Sequence, residues 1–310
     1  MVEKAGMTRL ARHIDACNRF RTADFLPFEV AGRVAGAVRR RDLGDLAGLE
    51  DILEIGPDRV RLPGCLDTPA KRTEALLTAA RALVAAGRLR RLRDEPYIVT
   101  ADDHLPEMTG RPALCELDRA AVPFFGTRGW GVHVNGFLRK GGEILMWVAE
   151  RARHKTTYPG RLDNMVAGGQ PASLGVAENL IKEAGEEASI PAALARQARP
   201  VGAISYNVDT RAGLRCDVIY AFDLELPRDF VPVPDDGEVA AFHLMTGTEA
   251  LDIVRTTDRF KFNCNLVVID FALRHGLIGR DHPEYEALRD GLRRPPAFRE
   301  IARQRPATSH

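Results

Sequence analysis

The spacing of apolar residues in the first third of the chain indicates a mixture of helix and strand. From Pro69 to Ala86 apolar residues recur every three or four positions, which predicts one amphipathic helix with Thr68 as its N-cap and Gly87 just beyond its end. Residues Tyr97 to Thr100 are typical of a short strand. The next stretch, residues 101–112, is polar and interrupted by prolines, which indicates a junction between two regions.

Beyond Gly129 the pattern becomes that of a sheet with helices packed against it. Two strand-like runs, Val132–Leu138 and Ile144–Ala149, are separated by Gly141 and Gly142, which predicts a hairpin. The remaining predicted elements are the strands Leu162–Ala167, Val201–Tyr206, Asp217–Leu224 and Val239–Leu244, and the helices Leu174–Ala188 and Asn263–His275. Together these elements predict an α/β fold.

The length of the chain sets the expected number of domains. Its 310 residues suffice for two domains of ordinary size, and the fractions of hydrophobic (45%) and charged (28%) residues are those of a globular protein. We predict an N-terminal α/β domain over residues 1–120 and a second domain over residues 121–290. Residues 291–310 are basic and contain prolines, and we predict a disordered tail there.

Charge and cysteine content exclude several classes of protein. The formal net charge is +1, so no basic field indicates a nucleic-acid partner. No apolar run approaches the roughly 20 residues of a membrane helix, and residues Met1 to Cys17 lack the apolar core of a secretory signal. Five scattered cysteines favour reduced thiols. We therefore expect a soluble cytoplasmic protein without membrane contacts, and the sequence leaves a homodimer open.

The predicted helix after Gly168-Gly169 carries the most informative chemistry. Glu183, Glu186 and Glu187 have the spacing i, i+3, i+4, so they are neighbours on one helix face. Each like-charged pair costs about 0.2–0.5 kcal/mol on an exposed helix, and we expect Lys182 to pair with Glu178 on another side rather than neutralise this cluster. Most acidic triplets are solvated helix faces, but a hard divalent cation such as Mg²⁺ would relieve the repulsion and bind a phosphate as well.

The order of strand, Gly-Gly, loop and acidic helix resembles the Nudix box, whose pattern is G-x5-E-x7-R-E-U-x-E-E-x-G-U with U aliphatic. Five positions from Glu183 to Ile190 match when the leading glycine is Gly168. Three positions depart from the pattern, because Leu174 replaces the first Glu, Lys182 the Arg and Ser189 the second Gly. The resemblance implies a Nudix α/β/α sandwich with a mixed sheet, and a metal site at Gly168 and the glutamates at positions 183, 186 and 187.

A narrower resemblance covers most of the chain. The run from Lys155 to Gly169, which includes Tyr158-Pro-Gly-Arg-Leu-Asp, and the segment Phe260-Lys-Phe-Asn are similar to Nudix proteins related to thiamine pyrophosphokinase. This resemblance implies a smaller α/β domain before the Nudix domain. It also implies Mg²⁺-dependent cleavage, with Mn²⁺ as a second candidate cofactor, of thiamine diphosphate or its oxy and oxo analogues to the monophosphate and phosphate.

Several alternatives stay open at this point. Glu238 lies in an acidic turn and is either a further metal ligand or base, or an ordinary turn residue; Glu183 is the other candidate for the general base. His133 either contacts a substrate or is a structural histidine, and the basic run Arg88–Arg93 is either a solvated helix end or a nucleic-acid contact. The small-molecule diphosphate substrate could instead be a nucleoside-diphosphate derivative. The altered box positions also allow a non-catalytic module that binds a diphosphate.

Overall fold

The computed structural model describes residues 9–304 of the chain. Its α-helices are α1 (Ala11–Cys17), α2 (Pro69–Ala85), α3 (Pro106–Thr109), α4 (Val122–Phe125), α5 (Val176–Ala188), α6 (Ala192–Ala195), α7 (Gly247–Thr256), α8 (Cys264–Arg274), α9 (Tyr285–Gly291) and α10 (Ala297–Arg303). Its strands are β1 (Phe25–Val30), β2 (Arg33–Arg39), β3 (Glu54–Ile55), β4 (Val60–Arg61), β5 (Pro96–Val99), β6 (Cys115–Asp118), β7 (Arg128–Lys140), β8 (Glu143–Arg151), β9 (Leu162–Asn164), β10 (Val166–Gly169), β11 (Arg199–Thr210), β12 (Gly213–Glu225) and β13 (Val239–Thr246).

The first region combines a small sheet with helix α2. Four strands pair in the order β2-β1-β4-β3, and β5 pairs with β6 as a separate antiparallel ribbon. Helix α2 confirms the prediction, because the side chain of Thr68 accepts a hydrogen bond from the backbone N–H of Lys71 and Pro69 occupies the first turn. The predicted junction at residues 101–112 is wrong, since these residues connect the paired strands β5 and β6 within the first region.

The second region is built on a seven-stranded mixed sheet. Its main order is β11-β12-β7-β8-β13, with β7 parallel to β12 and antiparallel to β8. The predicted β7–β8 hairpin is confirmed, and both Gly141 and Gly142 have the positive φ that its tight turn requires. Strand β8 pairs only with the last part of β7, whereas β10 pairs with the Gly131–Val134 part, so the neighbours of β7 change along its length.

Helices cover both faces of this sheet. On one face, apolar residues of α5 such as Leu180 and Ala184 pack in one cluster with Val132 and Val134 of β7. On the other face, α7 and α8 pack against residues such as Met146 of β8. The structure therefore confirms the predicted α/β class, with a mixed sheet between helices and a smaller region before it.

The hydrophobic core does not stop at the predicted domain boundary. One cluster of buried residues runs from the small sheet and α2 through α4 to β7, β12 and α5. At the crossing, the rings of Phe28 and Phe125 lie 5.0 Å apart between their centroids. The two regions therefore share packed surface, and the division at residue 120 stays a prediction from the sequence.

The predicted disordered tail is wrong for its first part. Helix α10 buries Ala297, Phe298 and Ile301 in a small cluster that includes Phe25 of β1 and Leu214 of β12. These three apolar residues lie on one face of a single helical turn, which a generally basic composition conceals. Residues 305–310 lie outside the described part of the chain.

Two predictions about the character of the chain concern cysteines and membrane spans. All five cysteines lie among the described residues and none forms a disulfide; Cys65 is exposed and the other four are buried. Between residues 9 and 304, none of the helices has the length and apolar character that crossing a bilayer requires.

Candidate active site

Helix α5 places its three clustered glutamates at one end of the sheet. Its apolar face, including Leu180 and Ala184, is buried against β7 and β10. The same packing leaves Glu186 exposed, Glu183 half-buried and Glu187 buried. The predicted start at Leu174 is two residues early, because Gly175 is the N-cap and α5 begins at Val176.

The end of strand β10 approaches this helix closely. A Cβ atom at Gly168 would collide with the carboxyl group of Glu183, so glycine allows this carboxyl group to lie directly against the strand. One residue earlier, the backbone N–H of Ala167 donates a hydrogen bond of 2.7 Å to Oε2 of Glu187. The structure thus brings together the predicted site residues Gly168, Glu183 and Glu187.

Lys182 does not make the ion pair that the sequence predicts. Its Nζ lies 3.2 Å from Glu183 and 2.5 Å from Glu186, so it bridges two carboxylates of the cluster. Glu178 instead accepts a hydrogen bond from the backbone N–H of Gly175, 3.2 Å away, and caps the positive end of α5. The predicted Lys182–Glu178 pair is therefore wrong, since Lys182 bridges two other carboxylates and Glu178 caps the helix.

Burial makes two of the glutamates on this face harder to ionise. Burial raises the pKa of Glu183 above its usual value, although Lys182 opposes the shift. Burial also raises the pKa of Glu187 to about 8, and the hydrogen bond from Ala167 offsets only part of this effect. A carboxylate that is expensive to ionise in this way is stabilised by a cation placed beside it.

Two acidic residues from the loop before β13 complete the cluster. Glu187, Asp236 and Glu238 offer carboxylate oxygens that all lie within 4.8 Å of one another. The backbone N–H of Asp236 donates to the carbonyl oxygen of Glu186, which ties this loop to α5. Glu238 pairs with Lys155, whose charge lowers the pKa of that carboxyl group although burial opposes it. The sequence indicated Glu238 but not Asp236, which could have been noticed as its partner in the same acidic turn.

These residues fit a hard divalent cation. The cluster consists of carboxylate oxygens, which Mg²⁺ and Mn²⁺ prefer, and contains neither thiol nor imidazole. The ammonium group of Lys182 already bridges Glu183 and Glu186, which shows that a positive charge is accommodated between them. Glu187 is the buried member whose ionisation a bound cation would stabilise.

The departures from the Nudix pattern have structural substitutes. Leu174 offers no carboxylate, but Glu107 of the first region accepts a hydrogen bond of 3.1 Å from the backbone N–H of Val176 at the start of α5. Ser189 stands where the pattern has glycine and adopts the left-handed backbone, with φ +53°. Its hydroxyl donates to the carbonyl oxygen of Val233, 2.9 Å away.

The acidic cluster opens into a cavity of about 560 Å³ that both regions line. The second region contributes Gly168, Glu183 and the segments around Tyr158 and Lys261. The first region contributes the polar and aromatic residues Arg93, Glu95, Tyr97 and Arg119. Reasoning from the sequence missed this second group, because nothing in its spacing indicates proximity to residues so distant along the chain.

Gly169 joins the two sides of this cavity. A Cβ atom at Gly169 would collide with the hydroxyl of Tyr97 and crowd the guanidinium of Arg119. Arg119 is held by Glu95, with 2.8 Å between Nη1 and Oε2. The two consecutive glycines therefore allow Glu183 to approach at one residue and the first region at the next.

His133 is a buried histidine that lines the cavity. Its Nδ1 lies 2.7 Å from Oδ1 of Asn164, and burial lowers its pKa to about 4, so the ring is neutral near pH 7. The neighbouring Asp163 pairs with Arg151 at 2.8 Å and with Lys261 at 3.3 Å. Because these two cations already neutralise Asp163, its carboxylate has little attraction for a metal ion.

The basic run Arg88–Arg93 lies just beyond the end of α2 at Ala85. Arg88 pairs with Asp42 at 2.8 Å and with Asp45 at 3.0 Å, so its charge is balanced within the protein. The other arginines of the run are exposed to solvent.

The structure thus places clustered carboxylates on a helix that follows a glycine pair and packs against a mixed sheet. Residues 9–129 match a family model described as "Domain of unknown function (DUF4743)". Nudix hydrolase 24, chloroplastic, of Arabidopsis thaliana is 38% identical over 291 residues, which cover 93% of this chain and 78% of that protein. Nudix hydrolase 20, chloroplastic, of the same plant is 37% identical over 298 residues, with the same coverage of both chains. The chain belongs to the Nudix hydrolase family.

One solved structure illustrates how far the similarity extends in three dimensions. A C. elegans Ap4A hydrolase in a binary complex is 11% identical, with a TM-score of 0.37, and the match covers 48% of this chain and 99% of that one.

Proposed function

We propose that this chain hydrolyses the diphosphate of an organic diphosphate with the help of Mg²⁺ or Mn²⁺, and that its substrates are thiamine diphosphate and the oxy and oxo analogues. The observation that carries the hydrolysis is the convergence of five carboxylates at the cavity, from Glu183, Glu186 and Glu187 of α5 and from Asp236 and Glu238 of the adjacent loop. Such a set is suited to a cation that also binds phosphate oxygens.

Each group has a part in this proposal. The carboxylates of α5 and the loop hold the cation, which when bound polarises a phosphoryl oxygen and lowers the pKa of a water molecule. Glu183 and Glu238 are the two candidates for the base that takes the proton from that water. Little covalent work is left to the protein, because phosphoryl transfer depends mainly on positioning and charge.

The thiamine-type substrate is supported by where the subfamily-like segments lie. Residues Lys155 to Tyr158 and Lys261 to Asn263 both line the cavity, beside the acidic cluster. These segments lie outside the Nudix box, so they are available to shape the space for the organic part of the substrate.

The test is a comparison of kcat/KM for thiamine diphosphate, its oxy and oxo analogues, and ADP-ribose, with magnesium, with manganese and with a chelator. We expect hydrolysis only with the metals, and a preference for the thiamine-type diphosphates of at least about tenfold, or about 1.4 kcal/mol of transition-state binding. Undiminished hydrolysis in the chelator would contradict the metal site. Equal values, or a preference for ADP-ribose, would remove the thiamine assignment and leave the metal chemistry standing.

A further inference from the structure

The cavity extends along β7 away from the glycine pair of β10. Gly131 of β7 is paired with Gly169 on one side and with Ile219 of β12 on the other. Two residues towards the start of β7, Gly129 is paired with Asp217. Since strands rise about 3.3 Å per residue, Asp217 lies several ångströms from the glycine pair, yet both line the same cavity.

The two carboxylate oxygens of Asp217 differ in their hydrogen bonds within the protein. Its Oδ2 accepts hydrogen bonds from the hydroxyl of Tyr206 at 2.7 Å and from Nε of Arg215 at 2.8 Å. Among residues 9–304, no side chain or backbone group donates a hydrogen bond to its Oδ1. This oxygen lies over Gly129, where there is no Cβ to cover it. The side chain is 10% exposed, so it is a nearly buried carboxylate with an acceptor facing the cavity.

Aromatic rings continue from this carboxylate to the mouth of the cavity. The ring of Tyr206 meets the ring of Phe262 edge to face, with 5.6 Å between centroids. Phe262 in turn lies 5.5 Å from the ring of Tyr158. Tyr206 itself is fully buried, so the side chains of this series that can face the cavity are Asp217, Phe262 and Tyr158.

Tyr158 combines an exposed ring with a left-handed backbone conformation. It has a φ of +51°, which is uncommon for a residue with a Cβ, and 42% of it is exposed. The Nε of Arg151 donates to its carbonyl oxygen at 3.2 Å and fixes the backbone in place. A large ring kept exposed on a strained backbone points to a contact with a ligand.

We propose that Tyr158, Phe262 and Asp217, supported from beneath by the buried Tyr206, form a subsite that binds a flat nitrogen heterocycle carrying a positive charge or an amino group. The inference rests on the proposed function, because it assigns this ring to the organic part of the diphosphate substrate. Aromatic faces attract flat or cationic rings, and the free oxygen of Asp217 can accept a hydrogen bond from an amino group. A thiazolium joined to an aminopyrimidine and an adenine both have this chemistry.

Two variants test the subsite, one at the nearly buried Asp217 and one at the exposed Tyr158. In Asp217→Asn the amide oxygen is held by the donors Tyr206 and Arg215, so the NH₂ group faces the cavity and puts a donor where the ligand needs an acceptor. Tyr158→Asn removes the exposed ring and tolerates the left-handed backbone, so it keeps the fold. Asp270→Asn is the matched control for the first variant, since Asp270 is a buried carboxylate paired with Arg274 outside the cavity. Val231→Asn is the control for the second, because Val231 is exposed elsewhere.

The first measurement is calorimetric binding of thiamine and of adenosine, both without phosphate, to the full chain in a chelator. We expect wild-type protein to bind at least one of them, and each cavity variant to weaken this binding at least about tenfold, with both controls within about twofold. Tighter binding of thiamine indicates a cationic ring and tighter binding of adenosine an aminopurine. Absence of saturable binding of both compounds to wild-type protein would overturn the subsite.

The second measurement is turnover of thiamine diphosphate, ADP-ribose and methyl diphosphate, which has no ring. The cavity variants should raise KM for the ring-bearing substrates about tenfold and change kcat/KM for methyl diphosphate by less than about twofold. Equal losses on all substrates would overturn the subsite and leave the hydrolase intact. Retained ring binding without hydrolysis of any diphosphate would overturn the proposed function and leave the subsite.

Discussion

Asp163 and Glu187 are both buried carboxylates, but their surroundings have opposite effects on their charges. Glu187 lines the cavity, and so do Arg151 and Lys261, the two partners of Asp163. Asp163 is paired with Arg151 and Lys261, and it also accepts a hydrogen bond from Cys264. Burial alone would raise its pKa, but the nearby positive groups outweigh burial and lower the pKa to about 2. Asp163 is therefore an anion that the protein neutralises with its own side chains.

Glu187 receives no comparable compensation. Its hydrogen-bond donor is the backbone N–H of Ala167, and burial raises its pKa to about 8. The contrast teaches that a buried carboxylate becomes a candidate metal ligand when the protein buries it and does not supply the cation. Four experiments test this difference between the two carboxylates.

The largest expected effect is on turnover in Glu187→Gln. This change removes the carboxylate that lacks a protein cation, so we expect kcat to fall about 100-fold or more, in line with the several kcal/mol that a metal ion contributes. Thermal stability should hold or rise, because the cost of ionising a buried group disappears. Glu178→Ala is the control on the same helix and should lower stability by about 0.3–1 kcal/mol while leaving kcat unchanged. Wild-type turnover in Glu187→Gln would show that the site lies elsewhere.

Asp163→Asn should have the opposite signature. It leaves Lys261 and Arg151 without their buried partner, and we expect a loss of about 3 kcal/mol in the free energy of unfolding. The measurement is urea denaturation of the metal-free protein. A loss below about 1 kcal/mol, which is the size expected for a surface ion pair, would mean that Asp163 does not hold this network together.

The pH dependence of stability separates the two carboxylates further. The pKa of Asp163 is lower in the folded protein than in the unfolded chain, so its contribution is present above pH about 4 and is lost as the pH falls through about 2. Wild-type stability should therefore fall on acidification by about 2.5 kcal/mol more than that of Asp163→Asn. Parallel stability curves for the two proteins between pH 5 and 2, about the range in which such a group titrates, would argue against this assignment.

The smallest effect should come from Lys182→Gln. Lys182 is half exposed and bridges Glu183 and Glu186, so its removal should lower the stability of the metal-free protein by only about 0.5 kcal/mol. Magnesium should remove this difference, because it replaces the lost positive charge. Equal melting-temperature differences with and without magnesium would indicate that Lys182 and the metal act at separate places.

The parts of the site that are local in sequence could be predicted from it. Glu183, Glu186 and Glu187 follow from helical spacing, and Gly168 from its place before the helix. The start of α5 was two residues off, because the cap is supplied by Gly175 and assisted by Glu107 from far along the chain.

The parts that depend on distant contacts could not be predicted. Tyr97, Arg119 and Asp217 reach the cavity only through the packing of separate strands, and no spacing records that proximity. The tail prediction failed for a related reason. Phe298 finds its partners in β1 and β12, and a count of charged residues contains no information about them.

The shared core between the small sheet, α4 and the large sheet has a consequence for how such a protein is inherited. One apolar cluster crosses the boundary, and the first region lines part of the cavity. Neither region can therefore be exchanged for an unrelated one. Recombination that replaced residues 9–129 with an unrelated segment would strip both apolar contacts and substrate wall from the hydrolase. The two segments should therefore be inherited together when genes are rearranged.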